Sequence, residues 1–225
     1  MRKPIILALT VVILSLAAWA ICASAHQIGD IIQFGGYDWR VLDVQGSRAL
    51  IITEHIIGQS SYNVDAGCGV TWETCTLRQY LNGKFLQKFS KEDQARIAET
   101  RINNPDNLWY GTEGGSDTTD KIFLLSLEEV DKYFGNSGDY RDEMRKSYDG
   151  QKWVSDNDGD GFSNTNDSNR IAQYNNQASW WWLRSHGSDC LYAAFVFYDG
   201  SVSVAGDYMS IGYGGIRPAL WLIMP

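Results

Sequence analysis

The sequence predicts an α+β domain built mostly from antiparallel strands, with two or three short helices and long loops. Three observations carry that reading. Residues 180–183 and 216–221 are crowded with bulky apolar side chains and show no helical period, which marks buried strands. Between them, Tyr198-Asp199-Gly200 sits between an Ala/Phe/Val run and a Ser/Val run, a hairpin signal. Ser126, with Glu129 three residues on, forms a capping box that starts a helix, and Ser90 with Asp93 forms a similar pair.

In chain order, residues 30–34 and 38–44 read as strands around Gly35-Gly36, and residues 48–57 as a third strand after Gln45-Gly46-Ser47. Leu77, Tyr80, Leu81, Phe85 and Phe89 recur at helical spacing, so a helix is expected over 76–89 despite Gly83. A second helix follows over 91–100. Residues 103–119 form a Gly/Asn/Asp-rich loop, 122–125 a short buried strand, and 127–133 a helix from the Ser126 cap. Residues 135–179 are polar and read largely as loop, and a loop that long is usually functional or disordered.

The hairpin's register decides what it presents. A two-residue Asp-Gly turn would pair Val196 with Ser203 and mix the faces. A three-residue loop with left-handed Gly200 pairs Val196 with Val202 and Ala194 with Val204. The aliphatic residues then point inward, while Phe195, Phe197, Ser201 and Ser203 share the other face. From His186 to Ile216 there is no Lys, Glu, Gln or Trp, and tyrosines sit among Ser, Gly and Asp. That palette suits a binding surface; an ordinary meander with polar turns has the same composition.

Arg2 and Lys3, an apolar run and Ala23-Ser24-Ala25 make residues 1–25 a secretory signal, leaving 26–225 as one domain. An uncleaved membrane anchor is the alternative. Removing Arg2 and Lys3 takes the net charge from -8 to about -10. An acidic surface excludes nucleic acid as a partner, and membrane only if the signal segment is cleaved. Among Cys68, Cys75 and Cys190, the first two either close a short loop in an oxidising compartment or stay as thiols.

Residues 156–167 resemble the calcium loops of EF-hands and dockerins. Asp156, Asp158 and Asp160 fall at positions 1, 3 and 5, Gly161 at 6, the Phe162 carbonyl at 7, Asn164 at 9 and Asp167 at 12. Four carboxylates this close would repel one another without a cation; a solvated acidic turn is the alternative. Calcium would order the loop beside the hairpin face.

The run Trp181-Trp182-Leu183-Arg184-Ser185, then Ala193-Ala194-x-Val196, the Asp199-Gly200 turn, and Gly215-Ile216-Arg217-Pro218-Ala219-Leu220 form a pattern. It resembles a bacterial secreted domain-of-unknown-function family, members of which occur among the variable proteins of diversity-generating retroelements. Residues 34–42, 71–82 and 120–126 also fit. The resemblance implies a C-type-lectin-like fold whose closing strands present a variable face to a partner. His186 stands where the family pattern leads to proline.

On that reading the contacts are Ser188, Asp189, Leu191, Phe195, Phe197, Ser203, Asp207, Tyr208, Ser210 and Tyr213. The partner is a protein or glycan on another cell or particle, met by a secreted or cell-surface protein whose face is either diversified or that of a fixed adhesin or carbohydrate-binding module. An enzyme using His186 and Cys190 is a minor alternative. His55 reads as structural. The Trp run reads as buried on both faces rather than as a sugar platform, and Arg184 and Arg217 as buried structural ion pairs.

Overall fold

A computed structural model describes residues 26–65, 67–134, 161–163 and 165–224. The signal segment and most of the calcium-loop residues (Asp156, Asp158, Asp160, Asn164 and the Phe162 side chain) lie outside that description. β1 (Ile31–Phe34), β2 (Tyr37–Gln45) and β3 (Arg48–Thr53) form an antiparallel meander, turned first at Gly35-Gly36, and β4 (Gly58–Ser60) follows. Only the first turn and a half of the helix expected over 76–89 is α1 (Thr76–Tyr80). It continues as a π turn over Leu81–Phe85 and a 3-10 turn over Leu86–Lys88. Asn82 explains part of the break: its side chain leaves the helix surface to bond Lys121 N, Ile122 N and Ile122 O.

α2 (Lys91–Arg96) starts at Ser90, whose hydroxyl accepts the Asp93 amide at 3.0 Å. β5 (Thr100–Ile102) and β6 (Thr118–Asp120) pair as a small separate sheet, and α3 (Leu127–Tyr133) carries the full Ser126–Glu129 capping box. Residues 161–179 are more ordered than a loop: β7 (Gly161–Phe162), α4 (Asp167–Arg170), and the hairpin of β8 (Ala172–Tyr174) and β9 (Gln177–Ser179). β10 (Trp181–His186), β11 (Tyr192–Val196), β12 (Val202–Tyr208), β13 (Gly214–Ile216) and β14 (Ala219–Ile223) complete the chain.

Two larger sheets result. One has the order β1-β2-β3-β14, the other β4-β13-β10-β11-β12-β7. Among the described residues all strand pairings are antiparallel except β10 with β13. The C-type-lectin-like expectation does not hold. Among the described residues the chain is mainly β, divided into four sheets of four, six, two and two strands, with four helices of two turns or fewer along their edges. α1 is cut short where Asn82 turns to residues 121 and 122. Sheet packing, not helix propensity, therefore decides the architecture.

The buried core is rich in tryptophan. Trp39, Trp72, Trp181 and Trp182 are fully buried, so each indole N–H must find an acceptor. They donate to Phe34 O, Asp120 Oδ2, Arg170 O and Ser60 O respectively, at 2.8 to 3.1 Å. Trp181 and Trp182 point to opposite faces of β10 and are both covered, as the alternation along the strand requires. Gly214 makes room for Trp182, since a Cβ there would lie 1.9 Å from the indole nitrogen.

Candidate functional site

The hairpin β11–β12 adopts the three-residue turn. Val196 faces Val202, the Phe197 amide donates to Ser201 O at 2.8 Å, and Gly200 has φ +90°. Val196, Val202 and Val204 are buried on the inner face. Phe195 faces Ser203 across the strands on the outer side. A bulge then shifts the register, so that Ala193 faces Asp207 and Tyr192 faces Tyr208. The bulged Ala205 carbonyl accepts the Ser188 amide at 2.7 Å, which seats the 187–191 loop on the hairpin.

The outer face is not uniformly wet. Phe195 is 7% exposed and Ser203 5%, whereas Phe197 is 38% exposed. Neither Phe195 nor Ser203 offers much surface; together they floor a groove of about 480 Å³ rimmed by Phe197, Ser201, Asp207 and Ser163. Phe195 is covered by Trp180, half-buried at the start of β10, whose ring lies 5.1 Å from it. The ring of Phe197 meets Phe195 edge-on at 4.6 Å, and Trp180 also touches Tyr213 at 5.9 Å. A row of rings thus runs from exposed Tyr213 through half-buried Trp180 and buried Phe195 to exposed Phe197.

Of the remaining expected contacts, Asp189, Tyr208, Ser210 and Tyr213 are exposed, and Ser188, Leu191 and Asp207 are half-buried. Tyr208 packs on Tyr192 at 4.6 Å. The structure therefore gathers Phe195, Phe197, Ser203 and Asp207 into the groove and leaves Ser188, Asp189 and Leu191 on a neighbouring loop.

That loop is held by a bond the sequence does not point to. Cys190 forms a disulfide with Cys68, across 122 residues, so the Cys68–Cys75 pairing is not made. Cys75 is instead a buried thiol at the start of α1, and burial pushes its pKa up to about 12. With its sulfur in the disulfide, Cys190 is no thiolate nucleophile. His186 is buried, with Nε2 2.6 Å from Val70 O, and burial lowers its pKa. The two do not form a catalytic pair. Asn107, which no sequence signal singles out within its loop, is fully buried and donates to His186 O at 2.8 Å and Val204 O at 3.0 Å. It joins β10 to β12 behind the groove.

Arg184 on β10 and Arg217 between β13 and β14 are both buried among backbone carbonyls. Arg184 pairs with Glu129 of α3 and donates to Leu124 O, Asn103 O and Asn104 Oδ1. Arg217 differs from the expected ion pair. Among the described residues its hydrogen bonds go to the carbonyls of Thr53, Glu54 and Arg170, its guanidinium lies 5.0 Å from the Trp181 ring centroid, and burial lowers its pKa to about 10. His55 is exposed at the end of β3, beside the paired Arg40 and Glu54, rather than packed in the core. Asp167, the last residue of the calcium-loop pattern, pairs with Arg170 and accepts the Ser163 hydroxyl. Its backbone rests on the hairpin tip, where a Cβ on Gly200 would lie 1.9 Å from Asp167 O.

A protein-family model, the domain of unknown function DUF6273, matches residues 46–224. The chain belongs to this family. The DUF6273 match begins after β2 and takes in the hairpin, the groove, the disulfide and both buried arginines. No curated protein and no solved structure matches the chain.

Proposed function

We propose that this DUF6273 domain is an exported ligand-binding module that meets its partner through the outer face of the β11–β12 hairpin and the adjoining loop. One observation carries the reading. Phe197 stands 38% exposed on the rim of a groove of about 480 Å³, on a hairpin fixed from behind by buried valines. Exposed aromatics on a rigid support are what a recognition surface needs, because they give contact area at low entropic cost. The Cys68–Cys190 bond supports an oxidising compartment, and residues 1–25 read as an export signal.

The test is to screen the mature protein on glycan and peptide arrays, then measure any ligand found against the Phe197→Ala/Tyr208→Ala double variant. Affinity is expected to fall at least about tenfold, since two exposed aromatic anchors are lost, while the denaturation midpoint moves little. A ligand bound equally well by the double variant would remove this face from the reading.

Diversification is a second reading, favoured by the way the backbone is held. Asp189, Tyr208, Ser210 and Tyr213 are exposed, while the disulfide and Asn107 fix the segments near them. Side chains there can change without loss of the fold. This reading requires a reverse-transcriptase gene and a near-copy template repeat beside the coding sequence.

A further inference from the structure

We propose that the groove takes a cationic side chain, lysine or arginine, presented by a protein partner; this rests on the ligand-binding reading and names the ligand's chemistry. The groove's one charged group accepts hydrogen bonds, and Ser203 Oγ, which accepts the Gly206 amide at 3.0 Å, is the hydroxyl on its floor. Asp207 is the one ionisable side chain among the described residues that line it. The Ser201 hydroxyl donates to Asp199 Oδ1 at 2.7 Å, and the Ser163 hydroxyl donates to Asp167, so both have their protons engaged and keep only lone pairs to offer a ligand. The rings of Phe195 and Phe197 add the negative faces of their quadrupoles. Lysine and arginine are donors only, which makes them the complement of such a surface.

The distribution of charge points the same way. From His186 to Ile216 the chain has Asp189, Asp199 and Asp207 but no Lys or Arg. Elsewhere, rings with a cation in reach hold one: Arg48 lies over Trp221, Arg96 over Phe34, and Arg217 over Trp181. Among the described residues no such pair involves the hairpin's rings, and the exposed face of Phe197 is open to a cation from outside. The overall net charge of -8 attracts a basic partner at long range. The flanking exposed Tyr198 and Tyr208 suit contact with a polypeptide that delivers the side chain.

The experiment is fluorescence anisotropy of labelled hexa-arginine and hexa-lysine peptides with the full mature protein, against a hexa-glutamate control. Binding of at least one cationic peptide is expected, weakened about five- to tenfold by Asp207→Asn and by Phe197→Ala, and retained by Asp207→Glu. The exposed Glu99→Gln, which removes the same charge far from the groove, should change it less than about twofold. Circular dichroism of each variant, together with the Asp207→Glu retention, separates loss of binding from loss of folding. Equal weakening by Glu99→Gln and Asp207→Asn, or no binding of either cationic peptide, overturns the proposal. If the arrays instead yield a neutral ligand that depends on Phe197, the cation falls and the binding face stands. If no Phe197-dependent ligand of any kind is found, both fall.

Discussion

Cys190→Ser, or full reduction of the wild type, is expected to destabilise the protein by about 3–5 kcal/mol, the range for a cross-link that closes a loop of this length. For a domain of this size that corresponds to a fall of about 6–20 °C in the thermal midpoint. The estimate is high because the bridge spans 122 residues and so removes much of the freedom of the unfolded chain. It also ties the loop after β4 to the loop after β10, both on the surface beside the hairpin. Cys75 is a poor alternative partner, since its thiol is buried and weakly acidic. Thermal denaturation with and without reductant makes the measurement, with Cys75→Ser as the companion variant. A midpoint that does not respond to reductant would show that the bridge contributes nothing.

Arg184→Ala is expected to cost about 3–5 kcal/mol, the usual penalty for removing one partner of a buried pair. Its guanidinium is nearly inaccessible and fastens α3 to β10 through Glu129, while also holding the Asn103, Asn104 and Leu124 oxygens. Removal leaves several oxygens without a donor and a carboxylate without its counter-charge. The exposed Arg101–Asp117 pair is the internal control, because Arg101 is 81% accessible at its side chain. Arg101→Ala should change stability by no more than about 0.5–1 kcal/mol. Urea denaturation of both variants decides between a buried fastening and a surface one; similar small losses would contradict the structural role given to Arg184.

What could be read in advance follows from how local each signal is. The hairpin register was legible because valines alternate with phenylalanines before Asp199-Gly200 and with serines after it, and a slip by one residue would turn Val202 and Val204 away from Val196. The Ser126 cap was legible because both of its partners lie within four residues. The break in the 76–89 helix was not, because it depends on Asn82 meeting residues 121 and 122, some forty positions away. The same holds for the disulfide, since nothing in the spacing of Cys68, Cys75 and Cys190 says which two meet. Alternation along β11 places Phe195 on the outer face, but its cover comes from Trp180, just before β10. Local alternation gives the face of a side chain and not what packs over it. The C-type-lectin-like expectation failed for a related reason: short motifs identify a family, whereas the partition into four sheets depends on pairings between distant strands.

Residues 214–223 carry a further consequence. β13 closes onto β10 and β4, β14 closes onto β3, and only Arg217-Pro218 separates the two strands. Neither large sheet can be completed until this short stretch has been synthesised, so a nascent chain lacking it presents two open edges at once. The last ten residues of the two sheets therefore act as one clasp, and both sheets reach their full strand order only when it is in place.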